Sequence, residues 1–184
     1  YVQTNVQCRG LSNGMIDVHT QGASPYSYLW DNGSTDEDLN GLGAGTYELT
    51  AIDANGCQAM ISVVISEPSE LSITSSSHNV SCSGFANGWI STQVQGGTGS
   101  YSYLWSTQET TSSINQLSGN TYSVIVTDGN LCRDTLIVEI SEPSSALGST
   151  DTHIDIDCSN PFGRIDLEPT GGTLPYSFQW SNGS

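Results

Sequence analysis

Pro25-Tyr26-Ser27-Tyr28-Leu29-Trp30-Asp31-Asn32-Gly33 returns as Ser100-Tyr101-Ser102-Tyr103-Leu104-Trp105 and again as Pro175-Tyr176-Ser177-Phe178-Gln179-Trp180. Trp30, Trp105 and Trp180 are each 75 residues apart. Self-similarity at a fixed period marks an array of structural repeats. In an extended chain alternate side chains share a face, so Tyr26, Tyr28 and Trp30 are expected to form one core row. Leu29 and Leu104 then point the other way.

Working outward from this stretch, Asn13-Gly14 is expected to turn the chain into Met15-Ile16-Asp17-Val18-His19-Thr20, an alternating, half-buried strand. Val2 to Cys8 forms an earlier one. Asn32-Gly33 is expected to close its strand in a tight hairpin. Leu42-Gly43-Ala44-Gly45-Thr46-Tyr47 resembles a tyrosine corner, a feature of Greek-key sandwiches. Tyr47, Leu49 and Ala51 then share a face, and Asp53-Ala54-Asn55-Gly56 turns the chain. Cys57, Ala59, Ile61, Val63 and Ile65 form the inward row of the last strand. Ser66-Glu67-Pro68 ends the unit, and the same order returns from Cys82 through Ile90, Trp105, Tyr122, Val124 and Cys132 to Ser141-Glu142-Pro143. The expected domains are residues 1–68, 69–143 and an incomplete 144–184. Proline after each glutamate makes the joints short and stiff. The repeat phase starts and stops inside units, so the chain is expected to be a window of a longer polypeptide.

The expected class is all-β, tandem Greek-key sandwiches of about 75 residues, rich in the strand-favouring Val, Ile, Thr, Tyr and Trp. The 184-residue chain carries 19 acidic residues against Arg9, Arg133 and Arg164, for a formal net charge of -16. Such a chain repels phosphate backbones and anionic lipid, which excludes nucleic acid as a partner. It has no lysine, which excludes Schiff-base catalysis and Lys-Asn isopeptide crosslinks. Met60-Ile61-Ser62-Val63-Val64-Ile65 is the longest apolar run and fits one strand, not a membrane span.

Five cysteines suit a small domain that needs a staple. Cys8 with Cys57 and Cys82 with Cys132 recur as pairs within units, and within-unit pairing is the expectation. Cys57 to Cys82 and Cys132 to Cys158 also leaves one cysteine over. A linear string needs an odd number of strand crossings per unit, which puts the end of the first strand and the start of the last at opposite ends. Either pairing implies an oxidising, extracytoplasmic location, since no Cys-x-x-Cys spacing suggests zinc.

Candidate chemistry is sparse. Gly10-Leu11-Ser12-Asn13-Gly14 fits the nucleophile-elbow pattern, but a strand-to-helix setting is absent and Ala86 stands at the equivalent place. The histidines His19, His78 and His153 have no second ligand at metal spacing. Asp36 and Asp38 around Glu37, Asp53 near Asn55, and Asp155 with Asp157 offer oxygens to Ca²⁺, the one cofactor the sequence suggests; solubility through like charge is the plainer explanation. The aromatic rows fit core packing better than a sugar-stacking platform. No enzymatic activity is expected.

The order C-x-G-x-x-x-N-G, P-Y-S-Y-x-W-x-N-G, L-x-x-G-T-Y-x-x-T-x-x-D-A-N-G-C and S-E-P resembles the SprB repeat. It is carried by Cys8, Gly10, Gly14, Tyr26, Tyr28, Trp30, Gly45, Tyr47, Asp53, Gly56, Cys57, Glu67 and Pro68. The second unit departs at Ser100 and at Gly129-Asn130-Leu131, both in turns. The family occurs in giant surface adhesins of gliding Bacteroidetes and resembles PKD-type immunoglobulin-like domains. The resemblance implies type IX secretion, display outside the outer membrane, and adhesion to an extracellular surface or polysaccharide. Neighbouring repeats and the secretion and motility machinery are its implied partners. Asp134-Thr135-Leu136 looks like that phylum's O-glycosylation sequon, with Thr135 outward. Asn32, Asn79 and Asn182 begin N-glycosylation patterns better explained by turns. Two other functions fit the array: a spacer or carbohydrate-binding region of a secreted hydrolase, and a segment of an extracellular filament.

Overall fold

A computed structural model describes residues 1–159 and 161–183. Fourteen strands and no helix occur among the described residues. The first sandwich comprises β1 (Val2–Thr4), β2 (Gly14–Asp17), β3 (Ser27–Trp30), β4 (Leu39–Leu42), β5 (Gly45–Ile52) and β6 (Gln58–Ile65). Its sheets run β1-β2-β4 and β3-β5-β6, antiparallel throughout. This is the A-B-E over C-F-G arrangement of an immunoglobulin-like sandwich lacking strand D. The second sandwich repeats it with β7 (Ser72–His78), β8 (Gly88–Gln95), β9 (Ser102–Trp105), β10 (Ser113–Leu117), β11 (Asn120–Thr127) and β12 (Arg133–Ile140). The third repeat has one hairpin, β13 (Gly148–Ile154) with β14 (Arg164–Thr170).

Trp30 and Trp105 are buried at the centre of their sandwiches, each indole N–H donating to a backbone carbonyl, Asp36 or Thr111. Around Trp30 pack Val6, Ile16, Val18, Leu39, Leu42, Leu49, Val63 and Ile65. Tyr28 lies against this core only partly buried, and Tyr26 turns its hydroxyl back to the Gly22 carbonyl. The expected core row therefore narrows to the tryptophan. Similarly, Val63 and Ile65 of β6 are buried while Cys57 and Ala59 are exposed. Leu29 and Leu104 face outward as expected.

Tyr47 makes the expected corner, its hydroxyl donating to the Gly43 carbonyl at 3.1 Å, and Tyr122 does the same to Ser118 at 3.0 Å. Two turn readings change. Asn32-Gly33 ends β3 in a turn in which only Gly33 has positive φ, and it makes no hairpin because β3 pairs with β5 rather than β4. Gly14 opens β2 and is needed for space: an added Cβ would lie 2.8 Å from the Ile65 side chain and 2.9 Å from the Leu42 carbonyl. Gly88 repeats this against Ile140 and Leu117.

Contacts divide the chain into two compact units. One holds Tyr1–Ile73, Val94–Ser102 and Val126–Asp134; the other holds Thr74–Gln93, Tyr103–Ile125 and the chain from Thr135 onward. The first unit thus contains the whole first sandwich together with one end of the second. No helix is long and apolar enough to cross a membrane among the described residues.

Candidate functional site: a disulfide staple between successive repeats

The loop after β1 lies beside the far end of β6. Val6 N–H donates to the Ser66 carbonyl, and Gly10 N–H to the Glu67 carboxylate at 2.7 Å. Cys57, in contrast, directly precedes Gln58 at the other end of β6. Eight strand residues at about 3.3 Å each separate the two ends by roughly 26 Å. No disulfide spans that gap, since its Cα atoms must lie within about 7 Å.

The expected within-unit pairs, Cys8–Cys57 and Cys82–Cys132, are accordingly not formed. Cys8 bonds Cys132 instead, with Cα atoms 5.7 Å apart across a sequence separation of 124. The alternative set, Cys57–Cys82 and Cys132–Cys158, is not formed either, and Cys57, Cys82 and Cys158 are free and exposed. The physical reason is strand parity: the first loop of one repeat and the last turn of the next meet at the joint.

Polar contacts surround the staple within the first unit. Gln7 Nε2 donates to the Asn130 carbonyl at 2.7 Å, and Asn130 Nδ2 donates back to the Gln7 carbonyl at 2.9 Å. Arg9 approaches Glu70 at 3.8 Å with both side chains well exposed, a pair worth little in water. Asp128 is buried and accepts the amides of Asn130, Cys132 and Thr98 at 2.8–2.9 Å, which fixes the cysteine's turn. The sequence showed the recurring aspartate; nothing in it showed that its carboxylate faces inward.

Asp53 holds the equivalent first-repeat turn, accepting the amides of Asn55 and Cys57 at 2.9 Å and of Ala23 at 3.4 Å. The Cys57 amide bond is the largest influence holding its carboxyl below the ordinary value, against the opposing effect of burial. The other proposed calcium residues are scattered among local roles. Asp38 accepts the Val18 amide, Asp36 accepts the Ser34 hydroxyl, Asp155 sits 4.0 Å from His153, and Asp157 accepts from Ser159. No group of three His, Cys, Asp or Glu converges among the described residues. Ser12 lies in the loop between β1 and β2 with no helix after it. Thr135 is exposed on β12. Ser184, which completes the Asn182 pattern, lies outside the described residues.

A family model for the SprB repeat matches residues 1–35, 74–110 and 150–184, together more than half of the chain. The chain belongs to the SprB repeat family. Each match ends within a few residues of the repeat's tryptophan, and in the two complete sandwiches the remaining strands follow it. The SprB chain also has a structural likeness to "Structure of amphioxus IgVJ-C2 molecule", at 13% identity and a TM-score of 0.32, covering 69% of this chain and 94% of that one. No curated protein matches it.

Proposed function

We propose that this chain is a non-enzymatic, load-bearing repeat segment of a large secreted cell-surface adhesin. The observation that carries the reading is the Cys8–Cys132 bond. Tension entering at the N-terminal end passes through this bond to Cys132 and bypasses everything between the two cysteines. Beyond Cys132 the path runs along β12 and then β13, strands that are already extended and have little slack to give. A disulfide also belongs to an oxidising compartment, consistent with display outside the cell. Family membership supports a role in surface attachment or gliding motility, with type IX secretion in a Bacteroidetes host and an extracellular surface or polysaccharide as the adhesin's target.

Single-molecule stretching of the chain from its ends tests the mechanical reading. With the disulfide intact, the stretch between Cys8 and Cys132 stays hidden at all forces below rupture of the covalent chain. Reduction should release about 430 Å of additional contour length, the reach of those residues at roughly 3.5 Å each. Equal total extension before and after reduction would sink the proposal. Capture of the segment on a glycan array would make it a binding surface rather than a stalk.

A further inference from the structure

We infer that Cys57 and Cys82 are the open halves of further staples, each built to bond the matching cysteine of an adjacent SprB-type repeat. The rule is that the cysteine in the first loop of each repeat pairs with the cysteine in the last turn of the repeat that follows. Cys8–Cys132 is its formed instance. Cys82 occupies the place of Cys8 within the second repeat, and Cys57 the place of Cys132 within the first. This inference rests on repeat equivalence and stands whether or not the segment bears load.

The joint after the second repeat is built like the stapled one. Gly97 N–H donates to the Ser69 carbonyl at 3.0 Å, and Gly172 N–H donates to the Ser145 carbonyl at 3.1 Å. Gly96 and Gly97 have φ of 73° and 64°; Gly171 and Gly172 have 67° and 62°. A Cβ on Gly96 would strike the Glu70 carbonyl, and one on Gly171 the Ala146 carbonyl. Tyr101 and Tyr176 each donate their hydroxyl to the first of these glycines. In the stapled joint, the turn carrying Cys132 packs on Gly97 and Thr98, where Asp128 and Gly129 bond to Thr98. In the other joint the corresponding space is a cavity of about 600 Å³, lined by Cys82, Leu147, Gly172, Pro175 and Tyr176. Its occupant is therefore the last turn, Asp-x-Asn-x-Cys, of the repeat directly after that of Cys82, just as the Cys132 turn belongs to the repeat directly after that of Cys8.

The Cys57 side is preformed in the same way. Asp53 fixes the Asn55 and Cys57 amides, and Ala54 N–H donates to the Ala23 carbonyl at 2.9 Å, as Gly129 N–H does to Thr98 at 2.7 Å. The turn that presents Cys132 to Cys8 thus already presents Cys57 to solvent. Closing each staple joins two Sγ atoms and removes one hydrogen from each. The two electrons and two protons pass to a small-molecule disulfide, which leaves as two thiols.

The test is a chain in which residues 69–143 are repeated once in tandem after Pro143, refolded with a glutathione redox couple and mapped without reduction. Two cysteines are added, yet the free-thiol count should stay at the present three. Cys8 should bond Cys132 of the first copy, and Cys82 of the first copy should bond Cys132 of the second. A Cys132→Ser change in the second copy should free only that Cys82, raising the count to four and leaving the Cys8 bond intact. A first-copy Cys82 that stays alkylatable in the unsubstituted chain, or that bonds within its own copy or to Cys158, overturns the inference. The stretching experiment concerns Cys8–Cys132 alone, so either proposal can fail without the other.

Discussion

The turns carrying Cys57 and Cys132 have almost the same backbone and opposite circumstances. In each an aspartate gathers the amides of the asparagine two residues on and the cysteine four residues on. Around Cys132 the aspartate is buried and the asparagine bonds Gln7 and Thr98. Around Cys57 the asparagine and cysteine are exposed, and a cavity of about 250 Å³ opens beside Val18, Leu49, Ala51 and Ile61. The turn is therefore a property of its own few residues, whereas its burial is contributed by the joint it enters.

Substitutions that act on one turn and spare the other sharpen this contrast. The largest difference is expected from Cys132→Ser against Cys57→Ser. Releasing a loop closed across 124 positions costs about 5 kcal/mol on the chain-entropy model. Cys57→Ser, at an exposed free thiol, should stay within about 0.5 kcal/mol. Urea denaturation under oxidising conditions measures both, and equal midpoints would erase the distinction.

Asp128→Ala leaves three amides of a partly buried turn without their acceptor and should cost about 1–3 kcal/mol for each that finds no water. Asp53→Ala should cost less, because solvent reaches its turn. Next in size, Asn130→Ala removes donors to Gln7 and Thr98 at about 1 kcal/mol, while Asn55→Ala should be close to neutral in the same melts. A reversed order in either pair would mean that the joint does not govern the energetics.

Acid gives the smallest and most local effect. Asp53 has a folded value below its ordinary 3.8, so its stabilisation is complete above that value and is lost as pH falls through the lower folded one. Amide exchange at Cys57 should accelerate as pH drops through that window, once corrected for intrinsic exchange. An Asp53→Asn chain should lose the step.

Much of this was legible in the residues. Trp30, Trp105 and Trp180 set the period, and the Tyr47 and Tyr122 corners followed from a leucine, a turn and a tyrosine in fixed order. The limits of the legible part are instructive. Tyr26 and Tyr28 share a face with Trp30, but the face continues past the edge of the packed core, so period alone overstates their burial. Gly14 looked like a turn residue, and only the approach of Ile65 and Leu42 shows that it is a spacer. Gln116 adopts a φ of 57° at a bulge opposite β8, matching Gly41 with 68°; no glycine marks the later position. The third repeat carries the same aromatic motif, yet Trp180 remains 38% exposed because the described residues hold no counterparts of β4, β5 and β6, which in the first repeat bring Leu39, Leu42, Leu49, Val63 and Ile65 into the core with Trp30.

By itself the sequence determined the repeat, its all-β class, the acidic surface and the places where each turn falls, because these depend on side-chain alternation and local backbone preference. Which cysteine meets which was decided only by tertiary structure. Spacing places Cys8 and Cys57 in one repeat, but an extended strand carries them to opposite ends of the sandwich, and the next repeat brings Cys132 to the end where Cys8 waits.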